Sequence, residues 1–570
     1  MRPLWSRHTG NLLAHSRTST RLTACFIVAL ILPNCVLANT EGYSAWTIEA
    51  SILLPLGFYM MWSVALRRSG VMIWLGFPFI FLCTFQIVLL GLFGNSVIAA
   101  DMFTNLLTTN PGEANELLKH ILPSVLLVCA LYLPLLWFAT SEIGHRRYLS
   151  RTTRTTIGLT GAVLFVLGLL ALWPAYRASE EHHVLRDEIF PLNVIYNLGL
   201  CGSEFHKARH YVDTCEGFSF EATREAQAPE REIYLYIIGE ASRAMSWSLF
   251  NAECKHATNP RLEEEEGVVL FRNMLTQSNT THKSVPLLLS PVATACHDEL
   301  YRQKGLPALF NEVGFDTWFI SNQPRQGAMI DHLAAEARHR VYIHSPRYDM
   351  QLLDEVRKAV THSQAPKMLF ILHCYGSHFD YRRRYPPQFA RFVPEDDATI
   401  SPENACCLRN AYDNSILCTD HFLAETIGYL RGLESTASAL LYCADHGEDL
   451  LDDERARFLH ASPTTTAYQL WVAALAWFSD EYRHLFPEKT AAAAANSTAP
   501  ANTHALFHTM AGMASIRSPH VDQTVSLVEA DYDRTAPRYY LSDHNEAVPY
   551  LQTGLSAEDR QLLERHGIKL

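Results

Sequence analysis

EIYLYIIGE, residues 232–240, is a short and nearly continuous apolar run that ends in a glycine and a carboxylate. A run of this length without polar alternation reads as a strand buried on both faces. Similar runs follow at TWFIS (317–321), KMLFILHCYG (367–376), SALLYCADHG (438–447) and LWVAALAWFS (470–479), with helical stretches between them. Buried strands alternating with helices predict an α/β domain with a mainly parallel sheet covered on both faces. In such sheets the binding crevice forms beyond the carboxyl ends of the strands. Polar residues gather there: Glu240 closes the first strand, Asp445 and His446 close the strand from 438, His378 follows the strand 367–375, and His460 comes soon after in RFLHASP.

Carboxylate and imidazole ligands around a hydroxyl suit Zn²⁺, with Mn²⁺ a substitute where oxygen donors dominate. A plainer reading stands beside this one. Glu240 and Asp445 can cap the turns that follow them, and a histidine beside a loop is often a surface residue. Their shared location at strand ends favours a site. SDHN (542–545) repeats the Asp-His pair with no buried strand before it and reads as a tail turn. In SNTTHKSVP (278–286) two threonines precede a helix expected from about residue 282. A helix start favours negative charge, and a metal lowers the pKa of a hydroxyl, so the cap position is also a position for a nucleophile. The residues alone do not choose between Thr280 and Thr281.

The chain has 570 residues, too many for one ordinary domain, and its composition changes near residue 175. Before that point lie apolar runs at 23–38, 46–66, 71–93, 117–140 and 156–176. The last four are each long enough to cross a hydrocarbon core of ~30 Å. The first is shorter, follows Arg2, Arg7, Arg17 and Arg21, and ends in Val36-Leu37-Ala38, so it reads either as a span or as a cleaved leader. Five spans, or four after cleavage, are expected. The basic stretches LRRSG (66–70) and HRRYLSRTTR (145–154) place their loops inside, and everything after Tyr176 outside. The expected organisation is a transmembrane domain over 1–176, an amphipathic connector over 177–230 that can lie along a membrane surface, and a catalytic domain over 231–570.

A net charge of −12 speaks against nucleic-acid binding. Of 13 cysteines, nine follow the apolar half, where disulfides are permitted; Cys201 with Cys215 and Cys254 with Cys296 are plausible pairs. EKTAAAAANSTAPANT (488–503) reads as a low-complexity surface insertion.

Taken together, IGEASRA with Glu240, TTHKSVP with Thr281, GSH with His378, NAYDNSILCTD (410–420), ADHGE with Asp445 and His446, and LHASP with His460 resemble the membrane-bound phosphoethanolamine transferases of Gram-negative bacteria. That family includes the lipid A modifying enzymes behind polymyxin resistance. The external loop MFTNLLTTNPGEANELL (102–118) is also similar, so the resemblance covers nearly the whole chain. It implies five inner-membrane spans carrying a periplasmic domain of alkaline-phosphatase or sulfatase type, acting as a monomer. It implies Glu240, Thr281, Asp445 and His446 as zinc ligands, with Thr281 the nucleophile that becomes covalently modified. His378 and His460 match histidines that contact the phosphoryl group or a second metal, and Asn322, in ISNQPRQG, falls where the family carries polar groups beside the donor. The implied donor is phosphatidylethanolamine, and the acceptor a lipid A phosphate or a core-oligosaccharide sugar.

The chain also departs from that pattern. Lipid A enzymes of the polymyxin-resistance type often bracket the nucleophile with two cysteines, and Gln277 and Leu287 stand at those positions; Lys283 replaces a residue commonly aromatic. Rival readings are a glycerolphosphate transferase resembling lipoteichoic acid synthase and a catalytically inactive membrane scaffold. An arylsulfatase is disfavoured, because Ser284-Val285-Pro286 is followed by Leu287-Leu288 without the arginine of C/S-x-P-x-R.

Overall fold

In a computed structural model of the chain, which describes residues 5–39, 43–93, 97–108, 121–178, 183–224, 230–326, 329–344, 348–397 and 399–570, the apolar run from residue 232 forms the central strand of the largest sheet. That strand is β1 (Glu232–Gly239), and every residue of it is buried. The others are β2 (Val268–Leu270), β3 (Asp316–Ser321), β4 (His339–Tyr342), β5 (Lys367–His373), β6 (Ala437–Ala444) and β7 (Ala474–Phe478), in the order β2-β7-β6-β1-β5-β3-β4. Period-two alternation divides β1 between two cores: Tyr234, Tyr236 and Ile238 face one, and Ile233, Leu235 and Ile237 the other.

The expected mainly parallel sheet is a mixed one. β6, β1, β5, β3 and β4 run parallel, but β7 pairs antiparallel with both β6 and β2. The run 470–479 is apolar throughout because both its faces are covered, and that pattern is blind to strand direction. The chain divides into two compact units, Met1–Ala100 with Leu118–Leu200 and Asp101–Leu117 with Cys201–Leu570. The sheet belongs to the second.

The first unit carries α1 (Trp5–Leu37), α2 (Ala45–Ser63), α3 (Ser69–Leu75), α4 (Phe77–Phe93), α6 (Leu122–Gly144) and α7 (Arg151–Ala178); α5 (Ala100–Thr108) falls almost wholly in the second unit. Among the described residues three helical segments are long and apolar enough to cross a membrane, Arg17–Leu37, α6 and α7, or four if the bent pair α3 and α4, with 58° between them, is one span. Of the expectation of five spans, or four after cleavage, the described residues support three or four, and five are not confirmed. The run 46–66 folds as α2, whose 19 residues include Glu49 and Pro55, and it is not among those segments. It packs along α7 through glycines: a Cβ on Gly161 would lie 2.9 Å from the Gly57 carbonyl oxygen, and one on Gly168 2.7 Å from the Leu54 nitrogen. Backbones approach this closely only where side chains are small. Glu142 is buried in this unit and accepts from Ser19 Oγ at 2.6 Å and Ser69 Oγ at 3.0 Å.

Three further expectations meet the structure here. All 13 cysteines are free thiols: Cys201 Sγ lies 3.5 Å from Thr104 Oγ1, and Cys215 Sγ is turned to the Tyr301 carbonyl at 3.8 Å. The alanine-rich stretch is no surface insertion, since it forms a helix (Pro487–Ala495) and a strand (Ala501–Asn502), with Ala493 and Ala501 fully buried. Small side chains let that helix sit close to the core. Of the loop 102–118, residues 109–118 lie outside the described residues.

Candidate active site

Parallel register brings the ends of β1 and β6 side by side. Gly239 pairs with Ala444, and the Asp445 N–H donates to the Gly239 carbonyl at 2.9 Å, so Glu240 and Asp445 leave the sheet next to one another. Ala241 follows with φ of +51°, a left-handed conformation that costs a residue with a Cβ of order 1 kcal/mol and persists only where surroundings hold it. Its N–H donates to Asp445 Oδ1 at 3.0 Å, as does the His446 N–H at 2.8 Å. Asp445 Oδ2 is buried and meets no hydrogen-bond donor among the described residues.

Thr281 is the first residue of α8 (Thr281–Leu288). Thr280 is the cap residue, with extended φ and ψ; its carbonyl accepts the first helical hydrogen bonds, from Lys283 N at 3.1 Å and Ser284 N at 2.8 Å, and its side chain makes no cap bond. The half-buried Thr281 places Oγ1 at 3.4 Å from both carboxylate oxygens of Glu240 and 3.1 Å from His446 Nε2. The loop before it is tied to the loop bearing His460, since Asn279 donates to the Ser462 carbonyl at 2.9 Å and accepts from Ala461 N at 3.2 Å.

His446 is fully buried, and its Nδ1 lies 2.9 Å from the Gly447 carbonyl, which places a proton on Nδ1 and a lone pair on Nε2. That Nε2 lies 3.3 Å from Asp445 Oδ2 and 3.6 Å from Glu240 Oε1. Burial pushes the imidazole down to about 4, against the opposing charge of Asp445, so it is neutral near pH 7. Two carboxylates, an unprotonated ring nitrogen and a hydroxyl thus converge with no proton between Nε2 and Asp445 Oδ2. Lone pairs packed this way repel one another unless a cation lies among them, and the donor set matches that of Zn²⁺. Glu240, Asp445 and His446 hold their ligand atoms within 4.8 Å of one another.

A second group shares His446: with Glu448 and His460 it also falls within 4.8 Å. His460 Nδ1 lies 3.2 Å from Glu448 Oε2, Tyr381 donates its hydroxyl to Glu448 Oε1 at 3.0 Å, and the rings of His446 and His460 are 4.0 Å apart. Burial raises Glu448 to about 8 and lowers His460 to about 4, driving each toward its neutral form. Burial, together with the nearby charge of Arg384, likewise lowers His378 to about 3. His378 belongs to neither group; its Nδ1 lies 2.6 Å from the Phe379 carbonyl oxygen. Asn322 turns its amide to Asp349 Oδ1 at 2.7 Å, whereas its neighbour Gln323 donates to Glu240 Oε2 at 2.7 Å and to the Cys374 carbonyl at 2.9 Å.

Sequence reasoning passed over Gln323, Glu448 and Asp349. Glu448 stood in the quoted ADHGE with no role assigned. Asp349 carries no motif at all, yet it accepts the N–H groups of Tyr375 and Gly376 at 2.8 and 2.9 Å and shapes the loop that leads to His378. At the two positions where cysteines are missing, Gln277 donates to Thr294 Oγ1 at 2.8 Å and Leu287 is fully buried. SDHN is the turn of a C-terminal hairpin formed by the strands Tyr539–Leu541 and Ala547–Pro549.

Comparison with known proteins agrees with this geometry. The sulfatase family profile matches residues 232–516, half of the chain, and the profile of phosphoethanolamine transferase EptA/EptB matches residues 95–204. The Kdo(2)-lipid A phosphoethanolamine 7''-transferase of Escherichia coli K12 is 25% identical over 424 residues, covering 68% of this chain and 72% of that protein. The phosphatidylethanolamine transferase Mcr-1 of Escherichia coli is 27% identical over 398 residues, covering 65% and 72%. Among solved structures, the integral membrane lipooligosaccharide phosphoethanolamine transferase A of Neisseria meningitidis shares the fold, with a TM-score of 0.70 at 19% identity over 90% of this chain and 98% of that one. The C-terminal periplasmic domain of EcEptC from Escherichia coli, solved in complex with Zn, gives 0.52 at 21% identity over 60% and 97%. The chain therefore belongs to the sulfatase family, in the branch of the membrane-bound phosphoethanolamine transferases.

Proposed function

We propose that this protein transfers phosphoethanolamine from phosphatidylethanolamine to a lipid A phosphate or a lipopolysaccharide core sugar, with Thr281 as the nucleophile. The observation that carries the reading is the placement of Thr281 Oγ1 at a helix start, within hydrogen-bond range of His446 Nε2 and beside the unsatisfied Asp445 Oδ2. Glu240, Asp445, His446 and Thr281 would hold a zinc ion, which lowers the pKa of a bound hydroxyl and neutralises charge on phosphoryl oxygens. His378 and His460 stand at the edge of the same site, where a second ion or the phosphoryl group would sit.

The chain's own residues then divide the work. Thr281 Oγ1 attacks phosphorus; the new O–P bond forms as the bond to the diacylglycerol oxygen breaks, and the threonine proton ends on that oxygen. His460 or His378, both unprotonated near pH 7, would pass the proton between the two oxygens. In the second half an acceptor oxygen attacks the phosphoethanolamine-threonine, and its proton returns to Thr281. The dipole of α8 favours the negative charge that gathers at its first residue in both halves. The apolar helices would anchor the domain at the outer face of the inner membrane, where both lipid substrates lie, with the segment 177–230 along the membrane surface.

Mass spectrometry of lipid A and core oligosaccharide from cells expressing the wild type and Thr281→Ala tests the reading. The variant is expected to lose transfer by ~1,000-fold or more, as nucleophile deletions do. Unchanged phosphoethanolamine on both would end it. Glycerol phosphate on Thr281 of the trapped wild type would instead favour the lipoteichoic acid synthase type of reaction.

A further inference from the structure

Two residues beyond Thr281, Lys283 is buried, with 6% of its surface exposed. Its ammonium meets three oxygens: Asp101 Oδ1 at 2.7 Å, the Ser542 carbonyl at 2.9 Å and the Asp543 carbonyl at 3.1 Å. Three donors thus find three acceptors, drawn from α5 and from the turn of the C-terminal hairpin. Asp101 is equally buried, and the same Oδ1 lies 3.2 Å from His282 Nε2; the other ring nitrogen of His282 faces Asn105 Oδ1 at 3.1 Å. Consecutive residues in the first turn of α8 are therefore both held by α5.

We propose that Asp101 and Lys283 are positioning residues, a buried ion pair that clamps the first turn of α8 between α5 and the hairpin turn 542–543 and so sets where the Thr281 hydroxyl points. This rests on the reading of Thr281 as nucleophile. The pair is electrically neutral, so its contribution is geometric. At the start of an eight-residue helix with one flank at Glu240 and His446, a shift of the first turn moves Oγ1 directly. Breaking one half leaves the other charge buried without its counter-charge, with only the two carbonyls for Lys283 or His282 for Asp101, which is worse than removing both. This marks the pair apart from an incidental contact.

The test uses the full-length, zinc-loaded protein in detergent or lipid nanodiscs and a phosphatidylethanolamine with a fluorescent acyl chain, reading release of labelled diacylglycerol. Asp101→Asn and Lys283→Met are each expected to lower kcat by about 100-fold, the loss that a misplacement of ~1 Å produces, with KM within about threefold and zinc content unchanged. The double variant, which buries no lone charge, should recover to within about tenfold of wild type. Wild-type kcat in Asp101→Asn, a loss carried by KM alone, or a double variant worse than either single would overturn the proposal. If Lys283→Met yields no folded protein, Asp101→Asn decides alone on the same kcat criterion. Thr281→Ala in parallel separates the two readings: retained transfer there removes the nucleophile assignment itself, whereas a dead Thr281→Ala beside a fully active Asp101→Asn removes only the clamp.

Discussion

Gly376 shows how much of the site rests on single positions. Its φ of +42° is left-handed, and a Cβ there would lie 2.7 Å from the Glu240 carbonyl oxygen and 2.9 Å from the Glu240 nitrogen. Both contacts are with backbone, so nothing flexible can give way. Gly376→Ala should cost about 1–3 kcal/mol of stability and displace Glu240, with a measurable fall in both melting temperature and transfer activity. Wild-type activity in this variant would show that the backbone around Glu240 is softer than its hydrogen bonds imply. Strain of this kind recurs beside the proposed ligands: Ala241, Leu459 and Ala461 all have positive φ, and they flank Glu240 and His460. At this scale the sequence made legible the residues that follow a buried strand, Glu240, Asp445 and His446, which the fold brings together. It failed for Gln323 and Asp349, since a side chain that supports another residue's carboxylate or a loop's N–H groups carries no local signature.

Among elements, the seam between α2 and α7 depends on glycine as the site depends on charge. Gly57 and Gly161 face one another so closely that a Cβ on Gly57 would come within 2.6 Å of the Gly161 carbonyl oxygen. Gly161→Leu must part the two helices. We expect a loss of about 1–3 kcal/mol, read as a lower melting temperature in detergent, and no such loss for Gly144→Leu, whose surroundings are open. Strands β1, β3, β5, β6 and β7 were legible because they are buried along most of their length and bounded by polar residues, whereas β2 and β4, half-buried or partly exposed, carry no such run. The direction of β7 was not, because apolar content says nothing of which neighbour a strand joins. The alanine-rich stretch misled for a related reason: low complexity suggests solvent, but alanine is also what a helix needs in order to pack tightly against a core.

Over the whole molecule, pH acts through buried acids remote from the site. Glu336 accepts from Gly305 N at 2.8 Å and from the Tyr211 hydroxyl, and burial raises its carboxyl from 4.5 to about 7. A raised acid means that the folded state holds the proton more tightly than the unfolded chain. Stability from this group is therefore full below pH ~4.5, falls as pH rises toward about 7, and stays low above that. Glu336→Gln removes the titration, so its melting temperature should fall less than that of wild type between pH 5 and pH 8. The difference should be on the order of 3 kcal/mol at most. Equal pH slopes would mean that Glu336 ionises freely in the folded protein.

Sequence by itself determined what depends on local pattern: apolar helices in the first third, five buried strands, and a cluster of acids and histidines where those strands end. The resemblance carried by its motifs singled out Thr281 from Thr280. Only the tertiary structure decided which groups meet. It set β7 antiparallel, left the cysteines unpaired, gave Glu448 rather than His378 to the group around His446, turned Gln323 and not Asn322 toward Glu240, and joined Lys283 to Asp101 and to the hairpin turn. Periodicity is a property of neighbours along the chain, whereas a buried charge finds its partner through packing between segments remote in sequence, and the cost of leaving it unpaired then makes that choice binding.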